Sequence, residues 1–319
     1  MSTLRVRLAV KAPETDDICR LELVPVDGES LPAFTAGAHI DLHLPNGLVR
    51  SYSLCNDPAE SHRYVLGILK DANSRGGSKA VHEALQVGDQ LTIGRPSNHF
   101  ALDPAATSSL LLAGGIGITP ILAMAEQLQR AGADFELHYT AARRDRMAFA
   151  GHLAAAPYVE RVHTYLSQED PARRLDLDAL LAKPASGRHL YVCGPQRFID
   201  AVLDSARRQG WNEAGLHWEF FAGAEIDSSA DRAFELEISS SGRIVLVAPG
   251  QTALKALTAA GIEVPMACEQ GVCGTCLTRV KGGEIEHRDL YLTPEEQAAG
   301  DQFLPCCSRA KSARLVLDL

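Results

Sequence analysis

CEQGVCGTC, residues 268–276, together with a later cysteine at Cys306, is the stretch on which the reading of this chain turns. Cys268, Cys273 and Cys276 are spaced C-x4-C-x2-C, and Cys306 follows after a long gap. Four thiolates hold a [2Fe–2S] cluster with this spacing. Two ferric ions bridged by sulfide need soft, anionic terminal ligands, and cysteine thiolate is the one a chain supplies. The loop must also wrap the cluster closely, with N–H groups turned inward. Gly271 and Gly274 lack the Cβ that opposes a positive φ. The alternatives are a zinc knot or a disulfide pair. Zinc sites more often use two C-x2-C units, and disulfides belong to small scaffolds in oxidising compartments.

The chain looks like neither a small scaffold nor a protein of an oxidising compartment. The chain has 319 residues, 46% of them hydrophobic, enough for two or three domains with cores of their own. Its formal net charge of −9 argues against nucleic acid and against anionic membrane as partners. The most apolar segment, residues 110–125, is broken by Gly114, Gly115, Gly117 and Pro120, so no membrane span is expected. Residues 1–11 carry Arg5, Arg7 and Lys11 and lack the apolar run of a signal peptide. Eight cysteines without such a signal point to a reducing cytoplasm.

Upstream, residues 4–10, 18–23, 39–44 and 64–69 alternate apolar and polar positions and are divided by turn residues such as Asp27-Gly28 and Gly88-Asp89. Short strands at this interval predict a small antiparallel β-barrel, with a helix over residues 78–85. Two places stand out. In RSYSL, residues 50–54, alternation sets Arg50, Tyr52 and Leu54 on one face and Ser51 and Ser53 on the other. A flavin site wants an aromatic ring beside the isoalloxazine, a hydroxyl near the nitrogen that takes hydride, and a cation for phosphate. The second place is RGGS, residues 75–78, small residues just ahead of the helix. An ordinary strand with an exposed arginine fits residues 50–54 as well.

From about residue 110 the pattern becomes strand–helix alternation, which predicts a parallel α/β sheet. GGIGITP, residues 114–120, joins the first strand to a helix over residues 121–130, with Thr119 and Pro120 suited to the N-cap and first helical position. CGP, residues 193–195, ends a later strand before a helix over residues 197–208. Both turns fall at carboxyl ends of strands, where such sheets bind ligands. A tight turn without a ligand fits the first, and inert packing fits Cys193. No clear acidic residue ends the second strand to read a ribose, and Arg143 and Arg144 stand there instead. Residues 222–232 are small and polar and read as a linker. Beyond them a hairpin (residues 234–238 and 243–247), a helix (252–260), the cysteine loop and strands at 277–280 and 314–318 follow the order of a β-grasp.

Taken together, R-x-Y-S followed by G-G-S, then G-G-x-G-x-T-P and Y-V-C-G-P, resemble the ferredoxin–NADP reductase superfamily. The resemblance implies that Arg50 holds flavin phosphate with Gly77 and Ser78. Tyr52 would pack on the ring, Ser51 and Ser53 would lie near it, and Lys70 and Asp71 would line it. Gly114, Gly115, Gly117 and Thr119 would receive pyrophosphate, and Cys193, Gly194 and Pro195 would lie at the nicotinamide, with Ser53 and Cys193 as catalytic candidates. Phe221 is a candidate to cover the flavin, or else core packing. Along its last segment the chain resembles plant-type ferredoxins, which implies Cys306, rather than the adjacent Cys307, as fourth ligand.

The order flavin barrel (1–103), nucleotide domain (104–226) and ferredoxin domain (227–319) resembles the phthalate dioxygenase reductase family, which includes the vanillate demethylase reductases. Residues 286–289 (EHRD) and 306–312 (CCSRAKS) share in that likeness. It implies FMN, NAD(H) and a [2Fe–2S] cluster, and a terminal Rieske-type oxygenase as partner of a monomeric reductase. A flavin takes electrons in pairs and releases them singly, so it must stand between NADH and the cluster. Plant-type clusters lie near roughly −400 mV, low enough to reduce a Rieske centre at about −150 mV or above. An FAD-containing reductase for another redox partner, such as a hybrid-cluster protein, is the alternative. A non-enzymatic iron–sulfur sensor is a second.

Overall fold

The computed structural model describes residues 3–72, 74–170, 174–221 and 228–319. They fall into two compact units, divided after Phe221. The first unit opens with strands β1 (Thr3–Pro13), β2 (Ile18–Pro25), β3 (Ala38–His43), β4 (Val49–Ser53) and β5 (Tyr64–Leu69), helix α1 (Gly77–Glu83), then β6 (Gln90–Gly94) and the short β7 (Ser97–Asn98). Every pair is antiparallel, in the order β4-β3-β6-β1-β2-β5. A bridge between Leu54 and Leu66 joins the two outer strands and closes the barrel. The expected barrel is therefore present, with β6 added. QLTIG is too short and too close to the Gly88 turn to announce itself by period.

Strand β5 shows why the barrel does not stand alone. Tyr64, Leu66 and Ile68 enter the barrel core, whereas Val65 turns outward into a second core shared with the following sheet. An alternating strand has two faces, and here both are buried. Each such leucine or valine removed from water contributes about 1.5–3 kcal/mol, so this second face ties barrel to sheet. Gly67 belongs to the outward face. A Cβ there would lie 2.8 Å from Thr119 Cγ2 and 2.9 Å from the Phe149 ring.

The sheet consists of β8 (Ser108–Gly114), β9 (Asp134–Ala141), β10 (Val162–Leu166), β11 (Arg188–Gly194) and β12 (Leu216–Phe220). All are parallel, in the order β10-β9-β8-β11-β12. Helices α2 (Ile118–Arg130) and α3 (Ala150–Ala155) follow β8 and β9, and α4 (Leu177–Leu181) and α5 (Gln196–Arg208) flank β11. Leu111 and Ala113 face the α2 side, Leu110 and Leu112 the α5 side, which explains the unbroken apolar run of β8. Strand β12 was not expected; LHWEF is half-buried and polar enough to hide its period.

The second unit has β13 (Phe234–Ile238), β14 (Arg243–Val247), α6 (Ala253–Ala259), β15 (Thr278–Gly282), β16 (Ile285–Glu286), α7 (Pro294–Ala299), β17 (Gln302–Phe303), β18 (Arg309–Ala310) and β19 (Arg314–Leu317). Its sheet runs β14-β13-β19-β15-β17, with β13 and β19 parallel, as a β-grasp requires. Thr252 caps α6 by accepting the Lys255 N–H, and Thr293 and Glu296 form a capping box on α7. Of the expected linker, residues 222–227 lie outside the described residues. Its end is no linker. The Asp231 side chain is 3% exposed and pairs with Arg288 at 2.8 Å and Arg309 at 3.3 Å, because both guanidiniums are themselves largely buried and need a counter-charge.

Candidate functional site

Pairing of β4 with β3 sets Arg50 opposite Leu42, Ser51 opposite Asp41 and Tyr52 opposite Ile40. Alternation then separates their roles. Ser51 donates to Asp41 Oδ1 at 2.7 Å, on the face away from Arg50 and Tyr52. Tyr52 is half-buried, and burial pushes its phenol up to about 12 against the pull of Arg50. Ser53 is buried beside His39, whose imidazole burial holds down to about 4. The two stretches singled out in the barrel meet. A Cβ on Gly77 would lie 2.8 Å from Arg50 Cγ and 3.0 Å from its Nε, so the guanidinium stem lies across the start of α1. Gly76 precedes it at φ 96. Ser78 Oγ accepts the Asp71 N–H at 3.2 Å, and Lys70 pairs with Glu83 at 3.1 Å on the surface.

In the sheet, the turn after β8 winds sooner than expected. Gly115–Gly117 is a 3-10 turn, Gly117 is the N-cap, and α2 begins at Ile118. Thr119 is therefore not the cap. It lies within the first turn, 2% exposed, and its hydroxyl donates back to Ile116 O at 3.1 Å. β8 and β11 are neighbours whose connections lead to opposite sides of the sheet, which makes their carboxyl ends a switch point. The two glycine turns touch there. A Cβ on Gly117 would lie 2.3 Å from Cys193 O, and one on Gly194 would lie 2.9 Å from Gly114 Cα. Gly117 and Gly194 are thus required by facing main chain, whereas a Cβ on Gly114 would meet Phe198 and Pro195. Gly115, at φ 54, has open space where a Cβ would stand, as a backbone cradle for a phosphate needs.

Cys193 contributes its main chain to this junction. Its side chain is wholly buried, and burial, then Glu219, pushes the thiol well above its usual range. Glu219, opposite Cys193 on β12, was missed in the sequence. Burial raises its carboxyl to about 8, and its Oε2 has no hydrogen-bond partner among the described residues. Phe221 is half-buried against the core shared by barrel and sheet. Glu169 was also missed. It follows β10 and accepts the Arg144 N–H at 2.8 Å, bringing a carboxylate to the end of β9, while Arg143 pairs with Asp145.

In the second unit Cys268, Cys273, Cys276 and Cys306 are all buried free thiols. They meet in pairs. Cys268 lies within hydrogen-bond reach of Cys273, and Cys276 of Cys306. Gln270 N–H points at Cys268 Sγ at 3.3 Å, and Gly271 N–H at Cys306. Gly271 and Gly274 do adopt φ 74 and 71. Four convergent soft donors with inward N–H groups fit a [2Fe–2S] cluster. Cys307 turns beneath the loop, where a Cβ on Gly271 would lie 2.5 Å from its Sγ. The EHRD stretch lies against the same loop, where a Cβ on Gly271 would lie 3.1 Å from Asp289 Cα. Buried Asp289 accepts Ser308 Oγ–H at 3.0 Å and Leu292 N–H at 2.9 Å.

Comparison with known proteins agrees with this geometry. Residues 236–311 match the 2Fe-2S iron-sulfur cluster binding domain, and residues 95–216 match the N-terminal domain of dimethylamine monooxygenase subunit DmmA-like proteins. The chain is 52% identical to the vanillate O-demethylase oxidoreductase of Pseudomonas sp. (strain HR199 / DSM 7063), over 95% of this chain and 96% of that protein. It is similar to the solved phthalate dioxygenase reductase, described as a modular structure for electron transfer from pyridine nucleotides to [2Fe-2S]. The TM-score is 0.79 at 38% identity, covering 100% of this chain and 98% of that one. It also matches part of an intact type IV self-sufficient cytochrome P450 monooxygenase, with TM-score 0.86 and 40% identity over 99% of this chain and 41% of that one. The chain is an oxidoreductase, and it belongs to the family of the phthalate dioxygenase and vanillate O-demethylase reductases.

Proposed function

We propose that the chain is the reductase component of a terminal oxygenase system, taking electrons from NADH through FMN and a [2Fe–2S] cluster to a Rieske-type partner of the ring-dioxygenase or O-demethylase kind. The flavin supplies the exchange between paired and single electrons, and the cluster supplies single-electron delivery. The domains are 1–103, 104–226 and 227–319. Arg50, laid across Gly77 beside Ser78, holds the flavin phosphate by charge-assisted hydrogen bonds. Tyr52 flanks the ring, Ser51 keeps β4 in place through Asp41, Ser53 lies beside the reacting edge, and Lys70 and Asp71 line the rim. The turn of Gly114, Gly115 and Gly117, shaped by Thr119, receives the pyrophosphate. Cys193, Gly194 and Pro195 form the wall at the nicotinamide, and Phe221 covers the flavin. Cys268, Cys273, Cys276 and Cys306 are the iron ligands.

The observation that carries this reading is the contact of the two glycine turns, Gly117 against Cys193–Gly194, in a unit that also holds Arg50 against Gly77, on a chain that carries four paired thiols. Glu169 supports NADH, since a carboxylate accepts from a ribose diol and repels a 2′-phosphate. The working form is a cytoplasmic monomer; no described helix is long and apolar enough to cross a membrane.

The likeness to a cytochrome P450 chain favours a second partner, a haem monooxygenase. The test is to purify the protein, identify the extracted flavin by mass, compare NADH with NADPH, and measure reduction of a Rieske oxygenase and a haem monooxygenase. FMN, a preference for NADH, and faster reduction of the Rieske protein are expected. FAD, or reduction of neither partner, overturns the reading.

A further inference from the structure

At the other end of the parallel sheet lies a group of side chains that the electron path does not use. We propose that Asp103, His189 and His217 form a site for zinc or a similar divalent transition-metal ion at the amino ends of β11 and β12. One ligand atom from each of the three lies within 4.8 Å of the others. They come from the connection between barrel and sheet, from the start of β11 and from the start of β12.

The distances suit such an ion. His189 Nδ1 and His217 Nε2 are 2.9 Å apart, and His189 Nδ1 and Asp103 Oδ2 are 3.7 Å apart. A tetrahedral zinc with bonds of about 2.0–2.1 Å holds its ligand atoms about 3.3 Å from one another. The two gaps lie on either side of that value, so small ring movements complete the site. Two imidazoles and a carboxylate are a donor set that zinc, nickel and copper accept, with one position left over.

The donors are already held. His217 stacks on Tyr191 with ring centroids 4.5 Å apart and planes 11° from parallel, and His189 stacks on His217 at 5.1 Å. Tyr191 is buried, and its hydroxyl accepts the Asp103 N–H at 2.8 Å, which fixes the main chain of the third ligand. Outer partners of this kind orient metal ligands. An opening is present. A cleft of about 460 Å³ is lined by Asp103, Gly187, His189, Trp211 and Gly215. A bound ion would pin the barrel-to-sheet connection to two strands, at the opposite end of β11 from the glycine turns.

The test uses untagged, fully loaded protein, in which the cluster cysteines are occupied. Zinc chloride is titrated in by calorimetry, and thermal unfolding is followed with and without zinc. Wild type is expected to bind one zinc per chain and to unfold at a higher temperature with it. His217→Gln is expected to weaken binding by about a hundredfold or more, and Asp103→Asn by about tenfold. Both variants should keep NADH-dependent dye reduction, which shows that they fold. Copper(II) added to the oxidised wild type should show electron-paramagnetic splitting from two nitrogens. No saturable zinc binding in wild type, or wild-type affinity in both variants, overturns the proposal and leaves the two rings as a hydrogen-bonded pair.

Discussion

The thiols of residues 228–319 and the glycine turns of residues 3–221 are two ways to build a redox site. Three of the four thiols come from one loop, residues 268–276, and the fourth from a strand connection that the β-grasp brings beneath it. In the first unit the contacts that build the site join segments remote in sequence. Gly77 meets Arg50, Gly67 meets Thr119 and Phe149, and Gly117 meets Cys193. The obstacles differ too. What stands in front of Gly274 is the Tyr291 side chain, 2.2 Å from a would-be Cβ, whereas in front of Gly117 it is backbone. The lesson is that the metal loop tolerates local adjustment and the nucleotide junction does not, because a ring can rotate away and two main chains cannot.

The largest effect is expected from Cys273→Ser. It should abolish cluster absorbance and one-electron reduction of cytochrome c, yet leave flavin reduction by NADH near the wild-type rate in stopped flow. Loss of flavin reduction would break the independence of the two units. Next comes the contrast between glycines. Gly117→Ala should destabilise the first unit by about 3 kcal/mol through overpacking. Gly274→Ala should cost about 2 kcal/mol in the second through its left-handed φ. Thermal unfolding with separate probes for flavin and cluster measures both, and equal shifts in both probes would contradict the comparison.

A smaller effect is expected at the barrel. Arg50→Ala should weaken flavin retention by about tenfold, through loss of a charge-assisted contact, with cluster content unchanged. Flavin titration of the stripped protein checks this, and unchanged affinity removes Arg50 from the site. The last expectation concerns pH. Glu219 keeps its proton to about pH 8, while an unfolded chain releases it from about pH 4.5. The folded state then binds more protons, so stability falls as pH rises between those values and is flat above them. Glu219→Gln should remove that slope, and a slope that persists in the variant would assign it to other groups.

How much was legible depends on how far apart the partners lie. The Cys268–Cys276 spacing, the R-x-Y-S strand and both glycine turns were visible because each is a short pattern with a local cause. Thr119 reads as an N-cap in the sequence because the early 3-10 winding from Gly115 leaves no trace in residue types. Asp231 reads as linker because a polar residue shows nothing of its two buried arginines. Glu169 and Glu219 gave no signal at all, since their meaning comes from strands β10 and β12 being placed beside β9 and β11.

The sequence by itself determined the spacing of the candidate cluster cysteines, the order of barrel, sheet and β-grasp, and the kind of chemistry, because cysteine spacing and period are properties of neighbouring residues. Only the tertiary structure decided which glycines face open space and which face other main chain, why Cys193 meets Gly117 through its main chain rather than its thiol, and that Asp103, His189 and His217 converge. These are matters of distance between remote segments, and a chain acquires such distances only when its cores pack.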